Sequence, residues 1–280
     1  MSATRGGVAW ALGRWTARLA VGALVAFMTF PTVVVIVASF NDTAILSFPP
    51  QAYSLRWYAN ALTYPQFQRA AVNSLFVTVA TMVLALPLGV ASVLALERSR
   101  LRGRALWAAL LLSPLIIPGV VSGLGLLILG AALGLLRSRW LLVFAHMVIV
   151  LPFVIRSLWV SVTNLDPNLE RAAASLGAGP WRVFWWVTLP LLRPGLFAAL
   201  LFAVIISLNE FVVSLFISTR VTEILPVAMF TYVVNYTDPT IAALSTLFIL
   251  GTFLSVFLAD RLLDMSSIFQ IGRGGRWERV

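Results

Sequence analysis

Few residues in this chain are equipped for chemistry, and the missing types narrow the choice first. All 20 basic residues are arginine, no cysteine occurs, and His146 is the single histidine. A Walker A loop holds nucleotide phosphates with a lysine, and a Schiff base needs the same side chain; both are excluded. Without thiols there is no disulfide, thiolate nucleophile or thiolate metal site, and a lone imidazole does not build a zinc cluster. No Ser or Asp motif accompanies His146, so a hydrolase has no nucleophile–base set. Two features remain. Ser207, Glu210 and Ser214 fall at i, i+3 and i+7, one face of a helix. Segment 163–193 combines a charged start, an alanine run, paired glycines and clustered tryptophans.

The elements that carry these residues are set by composition. Of 280 residues, 60% are hydrophobic and 11% charged, with a mean hydropathy of +0.96. An ordinary soluble domain is about 25% charged, and a disordered chain is far less apolar. The chain therefore reads as an all-α integral membrane protein. A bilayer core needs roughly 20 apolar residues per helix. Six such stretches occur, at 17–39, 69–96, 105–131, 140–162, 194–218 and 240–263. They are continuous runs without the alternation of barrel strands. The first is too long for a signal-peptide core and lacks a small-residue cleavage site, so it is expected to be retained. Residues 1–280 are expected to form a single transmembrane domain.

Arginine placement orients the spans. With the N-terminus inside, the inner side collects Arg5, Arg14, Arg18, Arg98, Arg100, Arg102, Arg104, Arg156, Arg171, Arg182, Arg193, Arg261, Arg273, Arg276 and Arg279. Arg56, Arg69, Arg137, Arg139 and Arg220 stay outside, and both termini fall in the cytoplasm. The net charge of +10 then reflects orientation and not nucleic-acid binding.

Glu210 is the one acid well inside a span, where a charge costs roughly 2.5–3.5 kcal/mol. It reads either as a pathway carboxylate, with Ser207 and Ser214 beside it, or as a structural carboxyl bonded to a neighbouring helix. In span three, Pro114, Pro118, Gly119 and Gly123 allow a hinge or a static kink with close packing. Ser74, Thr78 and Thr81 form a polar stripe suited to interhelical hydrogen bonds. A lone His146 reads as packed and hydrogen-bonded, outside the mechanism.

Segment 163–193 has local rules of its own. Asp166 suits an N-cap and Pro167 the first helical position. Glu170 and the alanines favour helix, Gly177 and Gly179 end it, and Pro180 opens a second short helix that Pro190 closes. Trp181, Phe184, Trp185 and Trp186 give that helix more apolar surface than solvent contact justifies.

This loop resembles the EAA signature of ABC-importer permeases: Glu-Ala-Ala, three residues, Gly, nine residues, then an aliphatic residue shortly before Leu-Pro. Here Ala172-Ala173 precede Ala174-Ser175-Leu176 and Gly177, and nine further residues lead to Val187, Thr188 and Leu189-Pro190. The motif glutamate falls on Arg171, with Glu170 one residue earlier, which leaves open which of the two carries the family's contact to the ATPase. Ser39-Phe40-Asn41, Phe48-Pro49-Pro50, Leu55-Arg56-Trp57-Tyr58, Asn73-Ser74-Leu75, Ser113-Pro114-Leu115, Leu208-Asn209-Glu210-Phe211 and Leu225-Pro226-Val227 are similar to spermidine/putrescine-type permeases. Asn209 replaces an acid usual in that family. The resemblance implies a type I ABC-importer permease architecture with six transmembrane helices in a bacterial inner membrane. Its ATPase-coupling loop would use Asp166, Glu170, Arg171, Ala172, Ala173, Gly177, Ala178, Gly179, Pro180, Leu189 and Pro190. It implies a second, different permease subunit, two ATPase subunits that hold ATP and Mg, and a periplasmic or extracellular substrate-binding protein. The cargo would be an amine-bearing small solute: a polyamine, γ-aminobutyrate or an aminophosphonate. No cofactor or metal is expected in this chain. A secondary transporter or channel is the alternative, but it usually shows inverted repeats or several membrane charges.

Overall fold

A computed structural model describes residues 3–45, 47–98 and 102–262, with the side chains of 3–12, 259, 260 and 262 outside the description. Ser99, Arg100 and Leu101 of the basic run, together with Arg273, Arg276 and Arg279, therefore lie outside the described residues, as does the side chain of Arg5.

The secondary structure is almost wholly helical. Among the described residues, four helices are long and apolar enough to cross a bilayer: the Gly13–Ala38 part of α1 (Ala3–Ala38), α3 (Pro65–Arg98), α6 (Arg139–Thr163) and the Thr240–Leu258 part of α13 (Thr240–Leu262). Expected spans three and five are both interrupted. Span three divides into α4 (Arg104–Leu112), a 3₁₀ turn (Ser113–Leu115) and α5 (Gly119–Ala132), with a bend of 99°. The prolines account for this break: Pro118 lacks an N–H, and its carbonyl accepts from Val121 and Ser122 at the start of α5, at 2.9 and 3.1 Å. Span five divides into α10 (Arg193–Asn209) and α11 (Val212–Ile217), with no proline at the break.

The chain forms two compact units. One comprises Met1–Tyr64 and Tyr232–Ile249. Its α1 buries none of its apolar window, and Phe27, Met28 and Phe30 are exposed, as suits a surface solvated by lipid. After α1, the Ser39-Phe40-Asn41 triplet organises the chain up to α2 (Arg56–Thr63). Ser39 Oγ and Tyr58 OH share a hydrogen bond of 2.6 Å, Asn41 Nδ2 donates to Ser47 Oγ at 2.7 Å, and Trp57 Nε1 donates to the Asn41 carbonyl at 2.7 Å. Asn60 Nδ2 donates to Thr240 Oγ1 at 2.8 Å, which ties α2 to the start of α13.

The other unit comprises Pro65–Thr231 and Leu250–Val280. At its centre α6 packs against α3 and α10. More than half of α6's apolar window is buried, 56% against 33% for α3, so α6 is the core helix. Val150, Val154, Ile155 and Leu158 are fully buried there with Ala85, Val93, Ala199 and Ala203. Small residues set the approach: a Cβ on Gly89 would lie 2.4 Å from Val154 Cγ1, and one on Gly195 would lie 2.7 Å from Ser161 Cβ. Gly119 and Gly123 have the same role, since their Cβ positions fall 3.2 and 2.7 Å from atoms of Val212 and Phe216 on α11. They bring the second half of one broken span against the second half of the other.

Close packing at Gly195 yields a test. Gly195→Ala should destabilise the purified protein by about 1–3 kcal/mol, read as a lower melting temperature in detergent. Gly22→Ala, with nothing within 4 Å of the added Cβ, should cause no such loss.

Candidate functional site

The 163–193 loop folds by local rules. Asp166 Oδ1 accepts from the Asn168 N–H at 2.9 Å, which caps α7 (Pro167–Ser175) with Pro167 at its first turn. The helix ends in a Schellman corner. Gly177 stands at φ +85°, with Ala178 N–H on the Ala173 carbonyl at 3.1 Å and Gly177 N–H on the Ala174 carbonyl at 3.0 Å. Pro180 then opens α8 (Pro180–Val183). Helical structure runs without a gap from Pro180 through a π turn (Phe184–Thr188) and α9 (Leu189–Leu191), so it ends one residue after Pro190, as expected, and the chain then bends by 67° into α10.

Glu170 and Arg171, adjacent in sequence, have opposite fates. Glu170 Oε1 receives Arg98 Nη2, at the end of α3, at 2.6 Å, and it also accepts from the buried Thr188 hydroxyl of the π turn. Arg171 is exposed and reaches only Asn168 Oδ1, at 3.3 Å. Glu170 is thus an internal brace among α3, α7 and the π turn, and Arg171 lies on the outward face. A cleft of 320 Å³ lies over this brace, lined by Arg98, Glu170, Ala174, Ala178, Pro180 and Phe184 among others. Trp181, Phe184 and Trp185 pack as a three-ring cluster with centroids 5.4–6.0 Å apart. Trp181 and Trp186 remain largely exposed, as does Leu176 at 89%.

Inside the membrane the geometry corrects the reading of Glu210. Ser207, Glu210 and Ser214 do not share a helical face, because the helix is not continuous. Glu210 takes an extended ψ of 107° after α10, and its Oε1 accepts the Val213 N–H of α11 at 2.8 Å. The carboxylate therefore has a local partner: it satisfies backbone donors that the break exposes. It is half-buried, next to the exposed Asn209. Ser207 and Ser214 turn away into the protein. Both are buried on His146, with Ser207 Oγ 2.8 Å from Nδ1 and Ser214 Oγ 2.9 Å from Nε2. Thr78 of α3 completes the group, 3.1 Å from Ser207 Oγ. His146 is the residue that sequence reasoning set aside; the available signal was that a polar ring in an apolar span needs polar partners on other helices.

Asn73 and Ser74 also gain a role. Asn73 Nδ2 donates to the Val221 and Glu223 carbonyls at 2.9 and 3.0 Å, and Ser74 Oγ accepts from Leu225 N–H at 2.8 Å, where α12 (Leu225–Asn235) begins. The pair pins the 219–225 segment onto α3. Burial pushes the Glu223 carboxyl above the usual carboxylate range, opposed by the Gln66 hydrogen bond and the charges of Arg69 and Arg220.

Comparison with known proteins agrees with this geometry. No family model matches the chain. The putrescine transport system permease protein PotI of Escherichia coli (strain K12) is 32% identical over 232 residues, covering 80% of this chain and 82% of the relative. The spermidine/putrescine transport system permease protein PotC of the same organism is 28% identical over 241 residues, covering 86% of this chain and 90% of the relative. A solved bacterial ABC transporter involved in import of the acidic polysaccharide alginate shares the fold, with a TM-score of 0.71 over 91% of this chain and 96% of that one at 17% identity. Fold and loop define a multi-pass ABC-importer permease. The chain belongs to the spermidine/putrescine-type family of these permeases. It is a transport subunit and not an enzyme, and a transporter acting without an ATPase is not favoured.

The two fates predict a contrast. Glu170→Ala removes the brace and leaves Thr188 buried without its acceptor, so the melting temperature should fall, by about 1–2 kcal/mol in stability. Arg171→Ala should leave it unchanged within about 0.5 kcal/mol.

Proposed function

We propose that the chain is one permease subunit of a bacterial inner-membrane importer for a polyamine or related amine-bearing solute, with both termini in the cytoplasm. It pairs with a second, different permease subunit, receives cargo from an extracytoplasmic binding protein, and couples to two ATPase subunits. ATP and Mg are held on those subunits, and no cofactor is assigned to this chain. Relatives named for putrescine and spermidine, matched over most of the chain, support the cargo class. The structural observation that carries the coupling role is the braced loop. Asp166, Glu170, Gly177, Ala178, Gly179 and Pro180 fix its shape, Leu189 and Pro190 lead it into α10, and Arg171, Ala172 and the exposed Leu176 offer a face to a partner. A loop held rigidly at its base transmits a push; a loose one absorbs it.

Glu210 is the pathway carboxylate in this reading. An ammonium within a few ångströms gains roughly 4 kcal/mol at an effective dielectric of about 20. Desolvation offsets much of that gain, which suits a carrier that must release its cargo.

Two variants test the reading. In Gly177→Val a β-branched side chain is forced to a positive φ, so the importer should assemble and hydrolyse ATP with little uptake of labelled putrescine. Full uptake would remove the corner from coupling. In Glu210→Gln the amide oxygen keeps the Val213 bond while the charge is lost. KM for putrescine or spermidine should rise about tenfold, equivalent to about 1.4 kcal/mol, with assembly intact. An unchanged KM would take Glu210 off the route.

A further inference from the structure

The imidazole of His146 touches both halves of a broken helix. Ser207 lies three residues before Glu210 and Ser214 four residues after it, and the two hydroxyls take opposite nitrogens of one ring, at 2.8 and 2.9 Å. All three side chains are buried, with at most 1% exposure. The two hydrogen bonds and the ring between them hold the hydroxyl oxygens within about 8 Å of each other. One imidazole thus ties the residues before the break to those after it, across the non-helical pair Glu210 and Phe211.

We propose that His146 is a positioning residue for transport: it clasps α10 to α11, keeps span five broken, and so holds Glu210 and Asn209 at the break. Loss of either serine contact frees one half of the span from α6. Glu210 supports the break from the other side by accepting the Val213 N–H. Thr78 extends the clasp to α3 through Ser207. The consequence for uptake rests on the reading of Glu210 as the pathway carboxylate; the clasp itself does not.

The chain has no cysteine, so Asn209→Cys gives it a single thiol at an exposed position beside the break. Its labelling by a membrane-impermeant maleimide is followed on this subunit, within the assembled importer in membranes. Adding His146→Leu should speed labelling about fivefold or more as the break loosens. Adding His146→Gln, whose amide offers both a donor and an acceptor, should keep the rate within about twofold of the parent. Ser214→Ala cuts one arm of the clasp with little change in volume and should move labelling in the same direction as His146→Leu. Parental labelling in Ser214→Ala overturns the clasp, and this variant decides the matter even where His146→Leu fails to insert. Uptake gives the second readout. His146→Leu should raise KM about fivefold with Glu210 present and add nothing in Glu210→Gln. Accelerated labelling together with uptake insensitive to Glu210→Gln would leave the clasp standing and refute the pathway reading alone.

Discussion

Backbone N–H and C=O groups in hydrocarbon have no water to bond, and each one left unpaired there costs several kcal/mol. That constraint governs this fold, because two spans are interrupted and every interruption exposes such groups. Each break is closed by a different device. At Pro118 the missing N–H removes a donor in advance, and the Pro118 carbonyl takes the first donors of α5. At Glu210 a carboxylate takes the Val213 donor. Outside the spans, in the 163–193 loop, left-handed Gly177 folds the chain back so that two carbonyls of α7 are used. The second halves of the broken spans then need a neighbour that approaches closely, and Gly119 and Gly123 let Val212 and Phe216 of α11 seat against α5.

This accounting explains which features were legible in the sequence. Spans follow from composition, and the 163–193 loop follows from Asp-Pro and Gly rules that act over a few residues, so both were visible. The bend in span three was flagged by Pro114 and Pro118. The break in span five carried no such mark, because Leu208-Asn209-Glu210-Phe211-Val212 holds neither proline nor glycine. Its cause is tertiary: one imidazole on α6 and one acid that caps the next helix. The regular spacing of Ser207, Glu210 and Ser214 therefore read as a face when it marks a fold-back. Pro190, by contrast, marked its break correctly, since the helix from Pro180 ends one residue beyond it.

The loop shows why a shift of one residue matters. Asp166 and Pro167 fix where α7 starts, so the register of every later residue is set. Successive residues turn by about 100° around a helix. An acid at 170 faces Arg98 and Thr188, while position 171 faces away. The departure from the usual motif thus separates two tasks: the acid braces the loop from within, and an arginine is left on the face available to a partner.

Both ends of the central helices are tied to the same neighbours. Near the loop, Glu170 links Arg98 of α3 to the segment that leads into α10, and α6 enters the loop directly. Farther along, His146 of α6 holds Ser207 of α10, and Thr78 of α3 bonds the same serine. Between these ties lie Val93, Val154, Leu158 and Ala203, fully buried, with Gly89 and Gly195 admitting close approach. Interiors packed in this way do not deform gradually, so α3, α6 and α10 are held against one another along their length. The helical ladders are interrupted at Ile116–Pro118, at the 67° bend that joins the loop to α10, and at Glu210. The last of these holds the half-buried acid where α10 ends.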